Sequence, residues 1–306
     1  YRPEAFARAA DAAPEVLYLV GGLYGNEAAL ASVLSMFERE RGSKRLLFNG
    51  DFHWFDVDPA AFRRITEQVL SFDALRGNVE TELAADAAGP DDAGCGCGYP
   101  GWVSDEVVER SNRIMRRLRG TARQFPDLCE RLAALPMWRR IDVGPLRLGI
   151  VHGDAESLAG WGFAQEHLRD RAHRAKVHAW FDAAQVDAFA STHTCLPLFH
   201  TLARTGEHPR FVLNNGASGM PNFRGETAGL LTRVAVHAFA GPQRRFGLVN
   251  EGVHMDAIAI EHDASGWRAQ FLKQWPAGSD AHLSYWDRIV AGPDYHGDEA
   301  VLHSTD

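Results

Sequence analysis

The chain has 306 residues, 45% of them hydrophobic and 24% charged, with a formal net charge of −8. Such a chain buries a substantial core, as one large domain or as a domain with an elaborated cap, which excludes a disordered protein. The acidic balance gives no long-range attraction to nucleic acid or to anionic lipid.

Residues 16–20 form an apolar run that predicts a strand, followed by Gly21-Gly22 and a helix from about Glu27 with Leu30, Val33, Leu34 and Phe37 on one face. The pattern recurs with residues 46–48, a loop from Asp51 to Pro59, and a helix through Phe62, Ile65 and Leu70, which predicts a parallel sheet built from crossovers. A polar loop follows, with Cys95 and Cys97 in a Gly-Cys-Gly-Cys-Gly stretch. That stretch reads as a turn of small residues, with a metal-binding thiol pair as the alternative, because zinc sites favour a wider spacing and a second pair. The four cysteines, with Cys129 and Cys195, are too few and too irregular for the framework of a small disulfide-stapled domain. Ser104 then caps an Arg-rich helix carrying Arg113, Arg116, Arg117 and Arg119, read as a solvated face, and a second helical segment lies near 126–135. Residues 86–140 are therefore expected to be a helical insertion over the sheet edge.

Runs at 148–151 and 186–190, separated by a helical stretch over 165–181, continue the sheet. From Phe211 onward the chain reads as strands, including 230–238, 255–260 and a last strand over 266–275, as a second sheet packed on the first. The tail after Pro276 carries Tyr285, Trp286 and Tyr295, expected to dock on the body, with a substrate lid as the alternative. The domain reading is a core over 15–262 and a C-terminal strand and tail over 263–306. No apolar run approaches the roughly 20 residues needed to cross a bilayer, and the N-terminus lacks the pattern of a secretion signal, so a soluble cytoplasmic protein is expected.

Four residues stand at the ends of apolar runs: Asp51 after Gly50, Asn78 after Gly77, His152 before Gly153, and His193 after Ser191-Thr192. If the runs are strands of one sheet, their carboxyl ends deliver the side chains to a common rim, where open α/β sheets bind ligands. Carboxylate, amide oxygen and imidazole together suit one divalent cation. Singly, Asn78 reads as a turn residue, His152 as a strand terminator and His193 as a core histidine.

The order of these pieces resembles the calcineurin-like metallophosphoesterases, in particular their compact bacterial branch. Gly50-Asp51 with Asp58-Pro59, Gly77-Asn78-Val79-Glu80, His152-Gly153 and Thr192-His193-Thr194-Cys195 match successive elements of that family, and Asn214-Asn215-Gly216-Ala217-Ser218-Gly219-Met220-Pro221 is similar to the stretch that closes its site. The likeness spans about residues 16–261. It implies a four-layer α/β sandwich, two packed mixed sheets flanked by helices, and a metal-activated water attacking a small-molecule phosphoester.

The family's first element, Asp-x-His-Gly-Asn, is replaced here by Gly22-Leu23-Tyr24-Gly25-Asn26, and its last histidine by Cys195. Three ligands of one metal are thus missing while all four of the other, Asp51, Asn78, His152 and His193, remain. The resemblance therefore implies one divalent ion per chain, manganese, iron, zinc or nickel. Tyr24 and Cys195 either fill the vacated berth or bind a second ion as phenolate and thiolate. Val79 stands where the branch has an acid histidine, leaving Glu80, Asp154 and His53 as candidate acids, bases or orienting groups. The alternatives are a catalytically degenerate metal-binding or ligand-binding protein on the same scaffold, and an oxidative iron site formed by Asp51, His152 and His193.

Overall fold

A computed structural model describes residues 1–84, 94–203, 206 and 208–305. Strand β1 (Val16–Val20), helix α1 (Glu27–Arg39), β2 (Lys44–Asn49), α2 (Pro59–Val69) and β3 (Asp73–Leu75) form two successive parallel crossovers, after which α3 (Asn78–Ala84) begins. Helices α4 (Asp105–Ala122) and α5 (Pro126–Ala133) precede a hairpin of β4 (Trp138–Val143) and β5 (Leu146–Val151). Then come α6 (Gln165–Arg169), α7 (Arg171–Ala184), β6 (Ala188–Ser191), β7 (Pro197–Ala203), β8 (Arg210–Asn215), β9 (Gly229–Ala235), β10 (Arg244–Asn250) and β11 (Val253–Ile260). The chain finishes with α8 (Ala264–Gln274), α9 (Asp280–Ala291) and β12 (Val301–Thr305).

The strands make two six-stranded mixed sheets, β10-β11-β9-β1-β2-β3 and β12-β7-β8-β6-β5-β4. Alternation along each strand decides which layer a side chain enters. Leu17, Leu19 and Leu47 face inward onto Leu148, Ile150 and Leu213 of the other sheet. Tyr18, Val20, Leu46 and Phe48 face outward onto the helices, in one cluster with Val33, Phe62, Ile114, Leu118 and Phe271. On the far side, Val151, Phe189 and Val212 meet Val177, Trp180 and Phe181 of α7. The expected four-layer α/β sandwich is the observed one. Truncating a side chain between the sheets, such as Leu47→Ala, costs about 2–5 kcal/mol.

Local signals set the helix starts. Asn26, Asp58 and Ser104 each accept a hydrogen bond from the backbone N–H three residues on, and Pro59 opens α2 with its φ already suited to a helix.

Several expectations are corrected. The runs at 148–151 and 186–190 do not continue the sheet begun by β1 and β2 but lie in the other sheet as β5 and β6, and of the strands after Phe211 only β8 and β12 join them, while β9, β10 and β11 complete the first sheet. Residues 266–274 lie in helix α8 with Trp275 at its C-cap, not in a strand, and the last strand is β12, paired in parallel with β7. Asp263 caps α8 by accepting from Gly266 N–H, and Trp267, Phe271 and Trp275 recur every four residues, a helical spacing. The helical stretch over 165–181 is two helices meeting at Asp170. The arginine face of α4 is not simply solvated: Arg113 pairs with Asp280, Arg117 lies over the Trp275 ring, and Arg119 is buried. Cys95 and Cys97 are joined by a disulfide. Of the expected insertion over 86–140, residues 86–93 lie outside the described residues; α4 and α5 share the apolar cluster on the outer face of the first sheet. No described helix is long and apolar enough to cross a membrane.

Candidate metal centre

The ends of β2, β3, β5 and β6 deliver Asp51, Asn78, His152 and His193 to one buried point. Ligand atoms of Asp51, His152 and His193 all lie within 4.8 Å of one another. His152 Nε2 is 3.1 Å from His193 Nδ1, 3.1 Å from Asn78 Oδ1 and 3.4 Å from Asp51 Oδ2. Ligands bonded to one cation at about 2.1 Å stand about 3 Å apart when adjacent, so the spacing suits a shared ion.

The outward atoms of the same side chains decide what the inward atoms can be. A backbone carbonyl only accepts, so His152 Nδ1 must donate to Asn49 O at 2.9 Å, and His193 Nε2 to Cys97 O at 2.9 Å. Asn78 Nδ2 donates to Cys95 O at 2.8 Å, which turns its Oδ1 inward. Four lone-pair atoms therefore face each other, and only a cation or a proton satisfies them. Burial and the neighbouring His152 pull the pKa of His193 down to about 4, so its ring is neutral. Burial also works against a charged His152, but the Asp51 carboxylate and the Asn49 carbonyl outweigh it and raise its pKa. Asp51 is held below the usual carboxylate range, its burial being outweighed by the two imidazoles and the Val79 N–H.

The loops carrying these groups are tightly made. Gly50 and Asp51 both have left-handed backbone, with φ of 79° and 53°, and a Cβ on Gly50 would lie 2.6 Å from His152 Nδ1. Tyr24 and Cys195 are left-handed too, at 55° and 60°, so three of the five such non-glycine residues among those described gather at this point. Backbone of this kind persists where surrounding structure enforces it, and it concentrates at functional sites.

The proposed acids and bases are engaged elsewhere. Glu80 Oε2 accepts from the N–H groups of Asp51 and Gly77 at 2.8 Å each, and its Oε1 from Phe52 at 3.1 Å, so it clamps the Asp51 loop to the Asn78 loop. Asp154 folds its own loop by accepting from Glu156, Ser157 and Gly162. His53 is held between Asp56 and Thr66 and stacks on Phe62. None of the three reaches the wall of the adjoining cavity.

That cavity has a volume of about 150 Å3 and is walled by Asp51, Asn78 and His193 together with Trp54, Tyr99, Trp161, Tyr285 and Arg288. Tyr24 and Cys195 meet on its wall with Oη and Sγ 2.8 Å apart. Burial, chiefly, raises the pKa of both, so without a metal the phenol and the thiol are neutral and pack against each other. Tyr285 and Arg288 come from α9, in the stretch expected to dock on the body, with a substrate lid as the alternative. Its docking is real, since Tyr295 is buried and donates to Pro197 O, yet α9 also builds cavity wall. No local pattern marks Arg288; only the packing of α9 brings it here.

A metallophosphoesterase from Sphaerobacter thermophilus superposes with a TM-score of 0.57 at 17% identity, over 91% of this chain and 100% of that one. The fold is that of the calcineurin-like metallophosphoesterases. A hypothetical protein from Pyrococcus horikoshii OT3 superposes equally, with a TM-score of 0.57 at 15% identity, over 92% of this chain and 99% of the other. No family model and no curated protein matches the sequence. At such identity the metallophosphoesterase likeness extends to the fold, and the case for a metal rests on the donor set just described.

Proposed function

We propose that this protein is a metal-dependent phosphoester hydrolase working with one divalent ion, held by Asp51, Asn78, His152 and His193. The observation that carries the reading is the four inward atoms, each fixed by an outward contact of its own side chain, which only a cation or a shared proton satisfies. When bound, a divalent cation supplies Lewis acidity toward a phosphoryl oxygen and a water acid enough to ionise near neutral pH. The chain's own contribution is to hold the four donors at fixed spacing, to clamp two of their loops through Glu80, and to exclude bulk water with Trp54, Tyr99, Trp161 and Tyr285. The paired Tyr24 and Cys195 support a single ion over two.

A second reading, a metal-binding or ligand-binding protein without turnover, is favoured by one observation. Among the described residues walling the cavity, Asp51 and His193 are the only carboxylate and imidazole, so none is spare to protonate a leaving group. Phosphomonoester and phosphodiester hydrolysis assayed with manganese, iron, zinc and nickel separates the two. Turnover with one equivalent of metal, abolished in His152→Ala and His193→Ala, supports the hydrolase; bound metal with no turnover of either ester supports the silent protein.

A further inference from the structure

We propose that Arg288 is the substrate's anion anchor, and that its charge selects phosphate monoesters over diesters. The inference rests on the hydrolase reading and deepens it by naming the substrate class.

Arg288 is half-buried in the wall of the cavity that Asp51, Asn78 and His193 also line. Its Nη2 donates to the carbonyl of Cys195 at 2.7 Å and its Nε to that of Pro221 at 3.1 Å. Both acceptors are neutral, and no described carboxylate pairs with this guanidinium, in contrast to Arg113, Arg147, Arg233 and Arg244, which each meet an acidic partner. A guanidinium has five N–H donors in a planar fork. Two are spent on fixing its orientation, which leaves donors and a whole positive charge for an oxygen anion in the cavity.

The anchor is rigid. Helix α9 is pinned by Arg113 on Asp280, by Arg110 on Ser284, by Arg268 on the carbonyls of Ile289 and Val290, and by burial of Ile289. A donor fixed in advance needs no reorganisation when the anion arrives. Charge then decides which ester is preferred. With a divalent ion, the Asp51 carboxylate and neutral imidazoles, the guanidinium brings the site to two formal positive charges, matching the dianion of a monoester better than the monoanion of a diester.

The test compares p-nitrophenyl phosphate with bis(p-nitrophenyl) phosphate on wild type, Arg288→Gln and Arg288→Lys, alongside titration of inorganic phosphate into metal-free and metal-loaded protein by calorimetry. Elemental analysis of each variant shows whether the metal centre survives. The expected result is unchanged metal content, a loss of about 100-fold in kcat/KM for the monoester in Arg288→Gln, a much smaller loss for the diester, partial recovery in Arg288→Lys, and weakened phosphate binding with and without metal. If wild type turns over both esters and Arg288→Gln leaves their ratio and the phosphate affinity unchanged, the anchor is overturned while the hydrolase stands. If wild type turns over neither but binds phosphate through Arg288, the hydrolase fails and the anion site stands. Metal loss in Arg288→Gln, with phosphate affinity unchanged in the metal-free protein, would assign the residue a purely structural role.

Discussion

His152 Nε2 and His193 Nδ1 face each other at 3.1 Å, while the opposite nitrogen of each ring donates to a backbone carbonyl. In the metal-free protein one proton relieves this crowding, and it resides on His152, whose pKa is raised by Asp51 while that of His193 is lowered to about 4. A metal must displace that proton. Affinity is therefore expected to rise with pH until the raised His152 pKa is passed, and to fall by about tenfold per pH unit below it. Calorimetry in buffers of different ionisation enthalpy checks this; uptake with no proton release near neutral pH contradicts it.

Glu80 is expected to act on stability and metal affinity through the loops it joins. In Glu80→Gln an amide NH2 must oppose one of the three backbone N–H groups that now reach carboxylate oxygens. The expected cost is about 1–3 kcal/mol in urea unfolding, accompanied by weaker metal binding. A catalyst would instead show unchanged stability and metal content with lost turnover.

The carbonyls of Cys95 and Cys97 fix Asn78 and His193, and the Trp161 indole also donates to Cys97 O at 3.0 Å. Reducing the disulfide, or replacing both residues by serine, frees the segment that carries these carbonyls. Metal affinity is expected to fall by about 10- to 100-fold, in line with the loss of other groups that orient metal ligands. Competition with a chelator before and after reduction measures it, and equal affinities would refute the coupling.

The ligand residues were legible in the sequence because each follows or ends an apolar run, but the rim is shared by two facing sheets rather than one: β2 and β3 of the first sheet deliver Asp51 and Asn78, and β5 and β6 of the second deliver His152 and His193. Tyr24 and Cys195 were legible as departures from the family pattern, though not as a bonded pair. Helix α8 is less legible because its apolar residues are few and set in a short segment, and its signals are the Asp263 cap and the four-residue spacing of Trp267, Phe271 and Trp275. The roles of Glu80, Asp154 and His53 depend on which backbone N–H groups or side chains surround them, and sequence does not carry that. Arg288 is the extreme case: it lies 93 residues from Cys195, and only tertiary packing sets the two together.

Refilling the vacated berth gives a gain-of-metal prediction. Tyr24 and Cys195 have left-handed backbone, which histidine tolerates better than most residues, and a Cβ on Gly22 would lie 2.9 Å from the Tyr24 ring. The double variant Tyr24→His with Cys195→His is therefore expected to bind a second ion beside Asp51, without requiring Gly22→Asp. Elemental analysis should rise from one metal per chain to two; a content fixed at one would show that the berth needs more than two imidazoles.

The single-ion centre is tested most directly by anomalous diffraction from crystals grown with manganese. The account predicts one anomalous peak, within bonding distance of Asp51, Asn78, His152 and His193, and none against Tyr24 and Cys195. A second peak at that pair, or no peak among the four ligands, would contradict it.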